Sequence, residues 1–138
     1  MKNLFASLFK AQKAYPDITE TERLLLEKQN CTDLTAIEFF IILKETNEKI
    51  GTVVMLFDGE IWYKVDEPFR NKGFATEAVS KMIDISERNY FYLSISFTNR
   101  YSIKLAKKLG FTYKERISKS LIFEKEKSIY KKEFVVIC

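Results

Sequence analysis

The sequence predicts a mixed α/β (α+β) fold, a mostly antiparallel twisted sheet flanked by helices around a strand-loop-helix unit. Three observations carry that prediction. Four segments between residues 22 and 66 are rich in alternating apolar, β-branched and aromatic residues and are joined by short turns, the pattern of antiparallel strands. After Gly73 the apolar spacing becomes helical. A further strand at 90–98 then leads into a second helix, and strand, helix, strand in that order reads as a right-handed crossover with its two strands side by side and parallel.

In chain order, Leu4, Phe5, Leu8 and Phe9 share one helical face while Lys2, Lys10 and Lys13 lie elsewhere, so residues 1–16 are expected to hold an amphipathic helix ended by Tyr15-Pro16-Asp17. Residues 22–27 form a short strand. Asn30-Cys31-Thr32-Asp33 is a turn in which Thr32 or Asp33 can cap a short helix beginning Leu34-Thr35-Ala36-Ile37. Residues 39–43 have the composition of a strand buried on both sides. Thr46 to Lys49 turn the chain into a strand over 50–57, and Asp58-Gly59 turn it again at Glu60. There Ile61, Tyr63 and Val65 alternate with Trp62, Lys64 and Asp66, until Pro68, which has no N–H, stops the ladder.

Beyond Gly73, the spacing of Ala75, Ala78, Val79, Met82 and Ile83 predicts a helix packed on a sheet, with Lys81, Asp84 and Glu87 in solvent. The strand at 90–98 places Phe91, Leu93, Ile95 and Phe97 on one face. Asn99 can cap the next helix, whose Ile103, Ala106 and Leu109 are expected to face inward and whose stop is Gly110. Residues 111–116, 120–124 and 134–137 supply more strand, with a charged connection over 125–132.

A chain of 138 residues suits one domain with a real core and is short for two. Apolar residues at 46% and charged ones at 30% describe a soluble globular protein, and no apolar run nears the roughly 20 residues that span a bilayer. No membrane partner is expected. Cys31 and Cys138 show neither a disulfide framework nor metal-ligand spacing, so the cytoplasm is the expected compartment and no metal is called for. The net charge of +4 arises without a basic run interleaved with aromatics, which disfavours a nucleic-acid partner and leaves either a mixed solvated surface or a polyanionic small ligand.

The stretch 60–77 is where such a ligand fits. A strand ends at Pro68, Arg70 and Lys72 flank Asn71, and Gly73 stands directly before the helix that opens with Phe74, Ala75 and Thr76. Glycine lets backbone N–H groups face outward at the positive end of a helix dipole, an arrangement suited to phosphate. Arg70-Asn71-Lys72-Gly73-Phe74-Ala75 also fits the pattern R/Q-x-x-G-x-G/A. Asn99-Arg100-Tyr101-Ser102-Ile103, running on to Lys108-Leu109-Gly110-Phe111, fits N-x-x-S-I followed by K-L-G-F. With Glu22 to Leu26 and Ile50-Gly51-Thr52, these motifs resemble the GNAT family of N-acetyltransferases over most of residues 21–116. The spellings E-I-x-Y and A-T-E-A-V are most similar to the branch that acetylates ribosomal-protein N-termini.

The resemblance implies acetyl-CoA as co-substrate, bound by a core over 60–111, and direct attack by an amine acceptor. It implies that backbone N–H groups from Asn71 to Ala75 hold the pyrophosphate, with the Thr76 hydroxyl and the charge of Arg70 or Lys72, although Lys72 also reads as an ordinary solvated lysine. Val65 would offer its N–H to the thioester oxygen from a strand that splays from the parallel strand after the helix, or is plain core. Glu60 would be the base near the acceptor amine, or a residue closing the Asp58-Gly59 turn; the chain has no histidine to take that part. Ser102, which matches the motif, and Tyr101, the more acidic hydroxyl, are candidates to protonate the leaving thiolate. Asn99 would hold the pantetheine arm or cap its helix.

Two departures bear on function. Asn71 stands where the family usually has glycine. The two helices that normally follow the first strand and wall the acceptor site are reduced to the start of one at 33–37. The N-terminal helix or a second subunit would replace that wall, or the chain is an acyl-CoA sensor without turnover. A homodimer burying residues 134–137 or the Leu4, Phe5, Leu8, Phe9 face is expected, the alternative being that the N-terminal helix covers that strand within one chain.

Overall fold

A computed structural model of the chain describes residues 15–30 and 35–127. The N-terminal helix, the Thr32 or Asp33 cap, the 134–137 strand and both surfaces named for a homodimer lie outside the described residues. The chain divides into two compact units between Ser86 and Glu87.

In the first unit the strands β1 (Ile18–Glu20), β2 (Leu24–Lys28), β3 (Ala36–Leu43), β4 (Glu48–Leu56) and β5 (Ile61–Val65) form one sheet in sequence order, each antiparallel to the next. The register pairs Leu26 with Ile41, Phe39 with Val53 and Met55 with Ile61, which gathers the apolar positions of four strands on one face. All six are buried. A 3-10 turn (Glu67–Phe69) follows β5, and then helix α1 (Phe74–Ile85). The helix contains neither Gly nor Pro, and its buried Phe74, Ala78, Val79, Met82 and Ile83 recur at the spacing of one helical face. That face packs on β2, β4 and β5. Phe74, Val79, Met82 and Ile83 each stabilise the fold by about 1.5–3 kcal/mol, and truncating the fully buried Phe39 to Ala costs about 3–5 kcal/mol. The helix ends at Ser86, whose buried hydroxyl is hydrogen-bonded to the Tyr15 hydroxyl at 2.7 Å and lies 3.7 Å from Met55 Sδ.

Gly51 is required where β4 meets the end of β5, because a Cβ there would stand 2.1 Å from the Lys64 carbonyl oxygen. The expected short helix from Leu34 is corrected for Ala36 and Ile37, which open β3 and pair with Leu56 and Met55. The cross-strand ladder to β4 outweighs the local capping signal. β3 is also not buried equally on both sides: Phe39, Ile41 and Leu43 are buried, and Phe40 and Ile42 only half so. β1 was not anticipated, being a three-residue edge strand with no apolar pattern of its own.

In the second unit β6 (Tyr90–Ser96), β7 (Thr112–Ile117) and β8 (Ser120–Glu126) form an antiparallel sheet in the order β6-β8-β7, and α2 (Arg100–Lys108) connects β6 to β7. Phe91, Leu93, Ile95 and Phe123 are buried. Phe97 lies past the end of β6, 44% exposed, with the Arg116 guanidinium 4.9 Å from its ring centre. In α2 the buried set is Ser102, Leu105 and Ala106; Ile103 and Leu109, expected to face inward, are half-buried. Ala106 is common to both sets, so the buried face is shifted toward Ser102 and Leu105 by about half of the 100° residue step. β5 closes the first sheet against β4, and β6 pairs with β8 in the second. β6 is antiparallel to β8 along its whole length. Among the described residues no helix is long and apolar enough to cross a membrane.

Candidate active site

The last strand of the first sheet sets the geometry. Leu56 N–H donates to Glu60 O at 2.8 Å and Asp66 N–H to Ile50 O at 2.7 Å. Hydrogen-bonded pairs alternate with non-bonded ones in an antiparallel ladder, so the intervening Ile61, Tyr63 and Val65 turn their N–H and C=O groups away from β4, toward the open edge. The Val65 carbonyl there accepts Arg70 Nε at 2.7 Å, which draws the first basic residue of the loop back onto the strand end. The Val65 N–H has no hydrogen-bond partner among the described residues. Val65 is therefore a buried side chain with its amide on an open sheet edge.

Between the 3-10 turn and α1 the backbone is left-handed twice, at Asn71 (φ 66°) and Gly73 (φ 82°). Asparagine is one of the few residues besides glycine that tolerate this, so its replacement of the usual glycine leaves the loop intact. The first helical bond is Glu77 N–H to Gly73 O at 3.0 Å. The N–H groups from Asn71 to Thr76 find no backbone partner among the described residues, and no side chain caps the helix. A row of open donors at the positive end of a twelve-residue helix suits a diphosphate. Lys72 and Asn71 are exposed beside it, Ala75 and Thr76 are half-buried in the first turn, and Phe74 is buried beneath.

Glu77, also in that first turn, carries a network that sequence reasoning missed. Its Oε2 accepts the Thr21 hydroxyl and the Arg23 N–H, and its Oε1 accepts Arg23 Nε at 2.8 Å. Burial pushes the Glu77 carboxyl up, but the hydrogen bonds from Thr21 and Arg23 and the Arg23 charge outweigh it and hold the group below its ordinary value. Both residues stood in quoted motifs, and the usable signal was helical spacing. A carboxylate three residues beyond buried Phe74 lies on the packed side of the helix and needs a partner.

Of the proposed side chains for chemistry, Glu60 is half-buried and its Oε2 accepts the indole N–H of Trp62 at 2.6 Å. Trp62, the sole tryptophan, is 55% exposed. In the second unit Asn99 Oδ1 accepts the Ser102 N–H at 3.1 Å, so Asn99 caps α2 as expected. Ser102 is buried, 8% exposed, whereas Tyr101 is 66% exposed. Val65, Glu60 and the loop thus gather in the first unit, and Asn99, Tyr101 and Ser102 in the second.

Comparison with known proteins follows this geometry. Residues 6–112 match the family described as acetyltransferase (GNAT) domain. Among solved structures, a GnaT-family acetyltransferase from Bordetella pertussis is similar at 17% identity and TM-score 0.66, over 80% of this chain and 99% of that one. A ribosomal-protein alanine acetyltransferase from Vibrio fischeri is similar at 20% identity and TM-score 0.58, over 70% of this chain and 64% of that one. A spermidine N-acetyltransferase from Vibrio cholerae is similar at 18% identity and TM-score 0.63, over 75% of this chain and 71% of that one. These likenesses establish the fold, while the acceptors they name differ. No curated protein matches the chain.

Proposed function

The chain belongs to the GNAT acetyltransferases, which use acetyl-CoA as co-substrate, and on that premise we propose that it acetylates a primary amine, either a peptide N-terminus or a small amine, by direct attack in a ternary complex. The observation that carries this reading is the row of open N–H groups from Asn71 to Thr76 at the start of α1. Acetyl-CoA supplies the activated acyl group and the diphosphate those donors suit. Arg70, Lys72 and the Thr76 hydroxyl add charge and a further donor, and the Val65 N–H on the open edge of β5 is available to a thioester oxygen. Glu60 takes the proton of the acceptor amine, its carboxylate oriented by Trp62. Tyr101 or Ser102 returns a proton to the sulfur, and exposure favours Tyr101. Asn99 orders the helix that carries both.

A peptide α-amine, with a pKa of about 8, is easier to deprotonate near neutral pH than a lysine at about 10.4, which favours N-terminal acceptors for a site with a carboxylate base. The likeness to the ribosomal-protein branch points the same way. Assay of free thiol with acetyl-CoA and a panel of peptides, polyamines and small amines tests the reading. The expected result is turnover with one acceptor class that falls about 100-fold in Glu60→Gln.

A second reading has a specific support. Only residues 29–35 connect β2 to β3, where the resemblance implies two helices walling the acceptor site. A chain that keeps the loop and lacks that wall fits an acyl-CoA sensor. Saturable acetyl-CoA binding with no thiol release across the panel would favour it over the enzyme.

A further inference from the structure

The guanidinium of Arg23, on a side chain 42% exposed, lies against the loop, and none of the roles above uses it. Nη1 donates to the Lys72 carbonyl oxygen at 3.0 Å, and Nε to Glu77 Oε1 at 2.8 Å. Cζ is 4.3 Å from the centre of the Phe74 ring, and Nη2 is 3.4 Å from where a Cβ on Gly73 would stand. The Arg23 backbone is fixed as well, its N–H held by Glu77 Oε2 at 3.0 Å and its carbonyl by the Lys44 N–H at 3.0 Å. One side chain, anchored in the turn between β1 and β2, thus touches Lys72, Gly73, Phe74 and Glu77.

The consequence follows from peptide geometry. The Lys72 carbonyl and the Gly73 N–H belong to one trans peptide and point in opposite directions. A glycine on one side of that peptide makes its rotation cheap, since glycine occupies left-handed and right-handed backbone with similar ease. Rotation would present the carbonyl oxygen, instead of the N–H, on the ligand side. We propose that Arg23 is the positioning residue of the loop: by holding the Lys72 carbonyl inward it keeps the Gly73 N–H turned outward, toward the diphosphate. Glu77 and Thr21 hold Arg23 in turn. The inference rests on the reading of this loop as the acetyl-CoA site.

The test is calorimetric titration of the full chain with CoA, paired with steady-state kinetics and the amide NMR signal of Gly73. In Arg23→Ala the expected results are a CoA Kd at least tenfold higher and an acetyl-CoA KM raised in step. The kcat at saturation should stay within twofold and the acceptor KM unchanged. The Gly73 amide, a single sharp signal in the wild-type chain, should broaden or double. Arg23→Lys, which keeps the charge but cannot serve Lys72 and Glu77 together, should recover only part of the affinity. Full recovery by lysine with an unaltered Gly73 signal would overturn the positioning role in favour of plain charge. A folded Arg23→Ala that binds CoA like the wild-type would also overturn it. If Arg23→Ala does not fold, the affinity and Gly73 signal of Arg23→Lys decide by the same criteria. Wild-type protein that is folded and binds no CoA would instead overturn the reading of the loop itself.

Discussion

Helix α2 opens on Asn99, whose side chain accepts the Ser102 N–H at 3.1 Å, whereas α1 opens on a left-handed Gly73 that caps nothing. A side-chain cap is worth about 1 kcal/mol, and α2 takes it. α1 forgoes it at the very turn where Asn71 is also left-handed and the donors from Asn71 to Thr76 stay open. The loop is held by Arg23 on the Lys72 carbonyl, with Glu77 holding Arg23, and by Arg70 on the Val65 carbonyl. The contrast separates a helix start closed by its own side-chain cap from one whose donors are left open, as the proposed ligand site requires. The proposed role of the loop residues rests on backbone geometry fixed by the fold, whereas the roles proposed for Glu60 and Tyr101 rest on side chains at or near the surface.

The strongest way to break the contrast is Gly73→Val. A β-branched residue at φ 82° forces the loop to rearrange, and the expected loss of acetyl-CoA affinity exceeds 100-fold by calorimetry. Affinity within threefold of wild-type, in a folded variant, would show that the open donors are not the binding surface. Next in size is Glu60→Gln, expected to lower kcat about 100-fold while leaving the CoA Kd within twofold. A parallel loss of CoA affinity would mean that Glu60 supports the cofactor and not the acceptor.

Asn99→Ala sharpens the comparison from the other side. It should cost about 1 kcal/mol in denaturant unfolding, with a far smaller effect on CoA affinity than Gly73→Val. A tenfold fall in affinity at unchanged stability would make Asn99 a ligand as well as a cap. The smallest effect expected is in the pH dependence of stability. Glu77 is held below its ordinary value of 4.5, so its contribution is present above that pH and fades as pH falls through the lower folded value. Glu77→Gln should therefore flatten the acid limb of unfolding free energy against pH below about 4.5, and an unchanged limb would contradict the network described around it.

Much of the first sheet was legible because period two survives in the sequence: Ile61 and Val65 are buried and Trp62 exposed as their alternation requires. Gly73 and Asn99 were legible because their residue types answer to special backbone needs. What stayed hidden depends on partners far apart in the chain. Ala36 and Ile37 look like a capped helix until β4 supplies a ladder, and β1 exists only because β2 pairs with it. Arg23 and Glu77 meet across 54 residues, and no local rule joins them. The setting of α2 was missed because Ile103 and Leu105 are equally apolar, and packing alone decides which is buried.

The central claim, that the open turn before α1 is an acetyl-CoA site, is tested most directly by titrating the folded full-length chain with acetyl-CoA in a calorimeter, alongside a double variant with Arg70→Glu and Lys72→Glu. The account predicts one saturable site in the wild-type chain, weakened more than tenfold by the reversed charges. No saturable heat up to millimolar acetyl-CoA, from protein shown to be folded, would contradict it.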